Sequence, residues 1–108
     1  MAHVAPEQDA FRAIADPNRR RMLDEMLEAE RTVGELTETL GIRQPSVSQH
    51  MQVLKLAGLV IERRAGRQNF YSARPAELGA VGAWLAKYEA FWSDRLDALD
   101  AHLKTRRQ

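Results

Sequence analysis

At 108 residues the chain suits one domain with a small core, and its 44% hydrophobic and 29% charged residues describe a folded protein, not a disordered one. The absence of cysteine excludes disulfide scaffolds, thiolate catalysis and thiolate metal sites. The net charge of +1 conceals a division: residues 1–42 carry 5 basic and 9 acidic side chains, residues 43–74 carry 6 and 1, and residues 75–108 carry 5 of each, so the middle third is a basic block that predicts an anionic partner.

No apolar run approaches the roughly 18 residues of a membrane span. The start MAHVAPEQDAF lacks the basic-then-apolar pattern of a secretory signal, so a cytoplasmic protein is expected. Residues 7–15 predict a first helix with Phe11, Ile14 and Ala15 on one side. In ADPNRRRMLDEMLEAE, Asp16 suits an N-cap and Pro17 the first helical position, and Met22, Leu23, Met26 and Leu27 form the expected apolar stripe. TVGELTETLGI predicts a third helix. Thr32 and Glu35 fit a capping box, and Gly41 fits the left-handed residue that ends it. RQPSVSQHMQVLKLAG predicts a fourth. Gln44 precedes a proline and is biased away from helical backbone, Pro45 can open the helix, and Gly58 closes it. Two short helices joined through a glycine match a helix-turn-helix, whose second helix enters the DNA major groove.

The fourth helix has two unlike faces. Val47, Met51 and Leu54 stand at i, i+4 and i+7 and share one side. Ser48, Gln49, Gln52 and Lys55 fall on the other, with no carboxylate among them. Glutamine can pair bidentately with adenine, serine suits several edges, and lysine suits guanine or phosphate. Gln44 and Ser46 sit at the helix start, where backbone amides can hold a phosphate. A neutral solvated surface is the plain alternative; the helix before and the hairpin after favour base readout. His50 lies at the edge of this face beside the apolar stripe, as a packing or a DNA-contact residue.

LVIERRAGRQNFYSA predicts a β-hairpin with a basic tip, in which Arg63, Arg64 and Arg67 fall within five residues. Charge that blunts an exposed edge is the alternative, but weakly hydrated arginine forks suit phosphate or minor-groove contacts. Pro75 stops the hairpin. From Ala76 to Leu103 there is no proline, and Gly79 and Gly82 lie near the start, so a long last helix is expected. Leu78, Val81, Leu85, Tyr88, Trp92, Leu96, Leu99 and Leu103 follow nearly heptad spacing, widened by Trp84 and Phe91. About 28 residues of helix span roughly 42 Å, more than a core this small requires. A dimer seam containing Leu85, Tyr88, Trp92, Leu96, Leu99 and Leu103, joined by Phe11, is the expectation. The alternative is that Trp84, Tyr88, Phe91 and Trp92 line a pocket for a small apolar inducer.

The segments FRAIADPNRRRMLDEML, TVGELTETLGIRQPSVSQHMQVLKLAGLV and RRAGRQNFYSA, from Phe11 to Ala73, together resemble the ArsR family of bacterial winged-helix repressors. The resemblance implies a mainly α fold with a small β-hairpin wing. It implies one winged helix-turn-helix domain over 1–108, with its core over 7–75 and a C-terminal dimerisation helix over 76–103. It further implies a homodimer that binds an operator in double-stranded DNA and blocks transcription. By match to the motif, the segment Gln44 to Lys55 would lie in the major groove, and Arg63, Arg64, Arg67 and Gln68 would form the wing near the minor groove. Arg43 stands where many relatives carry a small capping residue, so it either weakens the cap or adds a phosphate contact.

Departures from the family bear on sensing. One family metal site uses a Cys-x-Cys pair at the start of the third helix, where this chain reads Thr32, Val33, Gly34. Another uses Asp and His pairs on the last helix, shared across the dimer; here that helix offers His102 with Asp97 and Asp100, and His3 lies in the N-terminal tail. WLAKYEAFWSDRLDALDAHL looks like the final helix of a metal-free branch. No metal and no other cofactor is therefore expected, with DNA, a second copy and an apolar inducer as candidate partners and no membrane. A metal-responsive repressor and a winged-helix module that binds protein are the rival readings. No phosphate-binding glycine loop and no evident Ser/His/acid set favours an enzyme.

Overall fold

The computed structural model describes residues 6–106, without the side chains of residues 6–9, 96, 98, 101 and 104–106. Leu96 of the expected seam and His3 lie outside those described residues and side chains. The order is α1 (Pro6–Ala13), α2 (Pro17–Glu28), α3 (Val33–Leu40), α4 (Gln44–Leu56), β1 (Val60–Ala65), β2 (Gln68–Ala73), a 3-10 turn (Pro75–Leu78) and α5 (Gly79–Arg106).

Local chemistry accounts for most of these limits. Asp16 Oδ1 accepts from the amides of Asn18 at 2.8 Å and Arg19 at 3.2 Å, and Pro17 opens α2. Thr32 Oγ1 accepts from the Glu35 amide at 3.1 Å while Glu35 Oε1 accepts from the Thr32 amide at 2.8 Å, the reciprocal capping box. Gly41 ends α3 at φ 70°, and Gly58 turns the chain out of α4 at φ 74°. The hairpin closes through Gly66 and Arg67, with Ala65 paired to Gln68. Gly66 has φ 63° and Arg67 does not have a positive φ, the pattern of a two-residue II′ turn, which matches strand twist.

The core forms where α2, α3, α4 and the hairpin root meet. Met22, Met26, Leu36, Leu40, Val47, Met51, Leu54, Leu59 and Tyr71 are buried together. Leu27 departs from its expected place. Met22 and Met26 take the inward positions, and Leu27, one step of about 100° around the helix, is 66% exposed at the rim of a gap between α2 and α5. The last helix also starts later than expected. The chain must turn off β2 before it can run along the body, and the tighter 3-10 turn from Pro75 does so.

Tertiary pairing adds one element that local patterns do not announce. Arg31, between α2 and α3, forms an antiparallel bridge with Tyr71, its amide donating at 2.9 Å and its carbonyl accepting at 2.8 Å. Arg31 is held by Glu25, whose Oε2 lies 3.1 Å from Nη2. This third backbone segment ties the hairpin to the helical body and so fixes the wing relative to α4.

Burial acts to raise the Asp16 carboxyl, but the Arg19 and Asn18 amides and the nearby Arg19 side chain, joined by His50 when it is protonated, outweigh it and hold it below its ordinary value. A carboxyl depressed on folding stabilises the fold above its unfolded pKa of about 3.9, and the contribution is lost as pH falls through the lower folded value. Asp16→Ala is therefore expected to cost about 1 kcal/mol at neutral pH by urea denaturation, with the gap to the unsubstituted protein narrowing in strong acid. A gap of constant size at every pH would show that the carboxylate charge plays no part in the cap.

Candidate nucleic-acid interface

Helix α4 presents the two faces that its periodicity predicts. Val47, Met51 and Leu54 are buried, while Ser48, Gln49 and Gln52 are exposed on the far side. Arg43 and Gln44 are exposed at its start, and Ser46 and Lys55 are half-buried. Gln44 is already helical although it precedes Pro45; the extended residue is Arg43, at φ −70° and ψ 144°. Arg43 makes no side-chain cap bond, so its backbone occupies the cap position while its guanidinium stays exposed. The amides at the start of α4 thus have no side-chain cap, an arrangement suited to a phosphate.

His50 does not share the outward face. It is half-buried, with Nδ1 3.2 Å from Arg19 Nη1 and Nε2 4.0 Å from Asp16 Oδ1. Of its two expected roles, this geometry is that of packing. Two exposed apolar side chains join the glutamines instead: Val53 follows Gln49 by four residues, and Leu56, 83% exposed, follows Gln52 by four. Val53 can meet a thymine methyl. Both were hidden by their apolar character, although helical spacing alone separates them from Val47, Met51 and Leu54.

The hairpin places Arg63, Arg64, Arg67 and Gln68 on the surface, but not as equivalent cations. Arg63 crosses the Phe70 ring, its guanidinium carbon 5.0 Å from the centroid, and forms a fork with Glu30: Nε to Oε2 at 2.8 Å and Nη2 to Oε1 at 3.0 Å. The Arg63 hydrogen bond holds the Glu30 carboxyl below its usual range, and Glu30 in turn raises Arg63. Lys55 is paired as well, Nζ 3.0 Å from Glu62 Oε2, and Tyr71 Oη donates to Glu62 Oε1 at 3.0 Å. The bonds from Lys55 and Tyr71 lower Glu62; burial, then the bond to Glu62, raises Tyr71. Lys55 and Arg63 therefore have carboxylate partners in place, one of them 33 residues away in sequence. Arg64 and Arg67 stand at the tip, Arg64 close enough to Glu62 to interact electrostatically.

On the opposite side, Phe11 meets Trp84 edge-on at 5.9 Å, Trp84 meets Tyr88 at 5.3 Å, and Tyr88 stacks on Trp92 at 6.5 Å. This ladder is open: Tyr88 and Trp92 are each 45% exposed, and Leu99 and Leu103 beyond them are exposed too. A cavity of about 490 Å³ lies elsewhere, between α2 and the start of α5, walled by Leu23, Leu27, Leu59, Leu78, Val81 and Leu85. None of the four aromatics of α5 stands in its wall.

Residues 16–62, which hold α2, α3, α4 and the start of the wing, match the family described as "Bacterial regulatory protein, arsR family". The transcriptional repressor SdpR of Bacillus subtilis (strain 168) is 32% identical over 80 residues, covering 74% of this chain and 89% of that one. The chain belongs to the ArsR family. A probable mercury resistance operon repressor of Streptomyces lividans is 41% identical over 93 residues, covering 83% of this chain and 70% of that one. An ArsR-like transcriptional regulator from Rhodococcus sp. RHA1 has the same fold, with a TM-score of 0.72 at 28% identity over 94% of this chain and 93% of that one. As an ArsR-family member the chain is a DNA-binding transcriptional regulator with a winged helix-turn-helix, not an enzyme.

The Glu30 fork occupies a wing arginine that is a candidate for phosphate contact. Glu30→Gln is expected to strengthen binding to any DNA a few-fold and to steepen the logarithmic salt slope by about 1. The gain should vanish in an Arg63→Ala background. Titration of labelled DNA at several salt concentrations reads both quantities, and a gain that persists without Arg63 would assign the effect to Glu30's own charge.

Proposed function

We propose that the chain is a homodimeric transcriptional repressor of the bacterial cytoplasm whose α4 reads the major groove and whose release from DNA does not require a metal. The observation that carries the reading is the outer face of α4: exposed amides and a hydroxyl, no carboxylate, beside an arginine-tipped wing held to the same body. Gln49 and Gln52, with Ser48 and Val53, are the proposed base readers; Arg43, Gln44 and Ser46 approach the backbone at the helix start. Arg64, Arg67 and Gln68 bind phosphate or the minor groove, joined by Arg63 and Lys55 when Glu30 and Glu62 release them. Two such helices would enter successive major grooves about 34 Å apart.

The open ladder of Tyr88, Trp92, Leu99 and Leu103 supports α5 as the dimer seam, with Phe11 and Leu85 at its near end. Metal independence is supported by Thr32, Val33 and Gly34 where the family's thiolate pair would stand, and by the lack of cysteine. Among the described residues no three His, Cys, Asp or Glu side chains gather as a metal site. The relation to a mercury resistance repressor keeps a metal trigger as the second reading. The 490 Å³ cavity suits a small apolar inducer, because Leu59 and Ala73 in its wall belong to the root of the wing.

Anisotropy of labelled upstream DNA against random DNA, with and without chelator, tests this reading. Preference for the upstream DNA that chelator leaves unchanged supports it, and preference that depends on metal moves the case to the second reading. Gln49→Ala is expected to cost about 1–3 kcal/mol at one base position and to spare random DNA. Arg64→Ala is expected to weaken both DNAs and flatten the salt slope by about 1. In sedimentation, Trp92→Ala should shift the protein toward monomers; a variant that stays dimeric at low concentration would remove Trp92 from the seam.

A further inference from the structure

Arg19 lies in the first turn of α2, yet its guanidinium is spent on two other helices. Nε donates to the Ala13 carbonyl at 2.6 Å and Nη2 to the Arg12 carbonyl at 3.1 Å. These carbonyls end α1, where the Ala15 amide also donates to the Arg12 carbonyl at 3.1 Å. Nη1 stands 3.2 Å from Nδ1 of His50 on α4. A guanidinium only donates, so Nδ1 must accept. The ring is then the neutral tautomer with its proton on Nε2, on the side of Asp16 Oδ1 at 4.0 Å. Asp16 in turn accepts from the Arg19 amide. Because α1 rests on α5 through Phe11 and Trp84, one guanidinium joins the α1/α5 layer to the recognition helix, and it does so at the residue next to Gln49.

We propose that Arg19 and His50 form a positioning contact that sets the recognition helix against the α1/α5 layer, and that it holds only while His50 is neutral. This rests on α4 as the DNA-reading helix. Among the described residues, the charged groups set against His50 are Arg19 of α2 and its N-cap Asp16, while α1 contributes the Arg12 and Ala13 carbonyls to the cluster. Protonation puts a second donor and a second positive charge at 3.2 Å from Arg19, while attraction to Asp16 acts across 4.0 Å. A protonated Nδ1 can no longer accept from Arg19, so the ring leaves Arg19 for Asp16 and α4 loses its tie to α1. His50 then acts on sequence preference without touching a base.

The test compares upstream and random DNA by anisotropy with the full-length protein between about pH 8 and about pH 5, the range in which histidine changes charge. His50→Leu, which cannot accept from Arg19, is expected to lose about tenfold in affinity for upstream DNA, the loss of one charge-assisted hydrogen bond, and little on random DNA. His50→Gln, whose amide oxygen accepts at any of these pH values, should recover most of that loss and lose less on acidification than the unsubstituted protein. Arg19→Lys, a point charge in place of a fork, should resemble His50→Leu. Equal acid loss in His50→Gln and the unsubstituted protein would overturn the positioning contact, and so would equal losses on both DNAs in His50→Leu. If Arg19→Lys does not fold, the His50 pair still decides. No preference for upstream DNA by the unsubstituted protein at neutral pH would overturn the reading of α4 itself, a result distinct from the other two.

Discussion

Everything at the proposed DNA face depends on one burial. A 13-residue helix with glutamine, serine and a proline near its start has little intrinsic stability in water, so α4 exists where it does because Val47, Met51 and Leu54 leave water against Met22, Met26 and Leu36. Each such side chain contributes about 1.5–3 kcal/mol on burial, and three together rival the whole net stability of a small domain. With the inner face committed to the core, the outer face is unconstrained by folding. That is why its composition can be read as chemistry aimed at a partner.

The basic block is less uniform than its charge total suggests. Lys55 and Arg63 are tied to Glu62 and Glu30 through exposed pairs, whose stability contribution is about 0–1 kcal/mol each. Their consequence is positional. Lys55, Glu62 and Tyr71 bind the end of α4 to β1, and Arg63, Phe70 and Glu30 bind the wing to the segment that leads into α3. Such pairs weaken with salt, as protein–phosphate contacts do. On the proposed reading, the internal fork and a phosphate would compete for the same guanidinium, with the outcome set by how much counterion release the DNA offers.

Legibility in the sequence followed the range of the interaction. The Asp16 cap, the Thr32 and Glu35 box, the turns at Gly41 and Gly58 and the two faces of α4 all rest on residues within a few positions, and each was readable from spacing. The Arg31–Tyr71 bridge, the Arg63–Glu30 fork and the Arg19–His50 contact join residues more than 30 apart, and no local pattern specifies them. Leu27 misled because a stripe of four apolar residues is wider than the surface α2 buries. Val53 and Leu56 are hard to place from sequence because apolar residues on a short helix suit the core, and His50 is ambiguous because it sits on the boundary between the faces.

The remaining constraint concerns α5. A compact chain of this length has a radius of gyration of about 13 Å, whereas this one has 17.9 Å and a longest dimension of 59 Å. The difference is the far part of α5, which carries Tyr88, Phe91, Trp92, Leu99 and Leu103 into solvent. A helix that projects from its own core with aromatic residues exposed suits the proposed dimer seam. A two-fold axis would set the ladder against its own copy, since each seam residue would meet the same set on the partner. The ladder begins at Phe11 on α1, α1 ends in the grip of Arg19, and Arg19 holds His50 on α4. In the proposed dimer, the packing of two seams would therefore fix the distance and angle between two α4 helices through three contacts already present in one chain, so that a small change at the seam would be transmitted to the register of α4 on DNA.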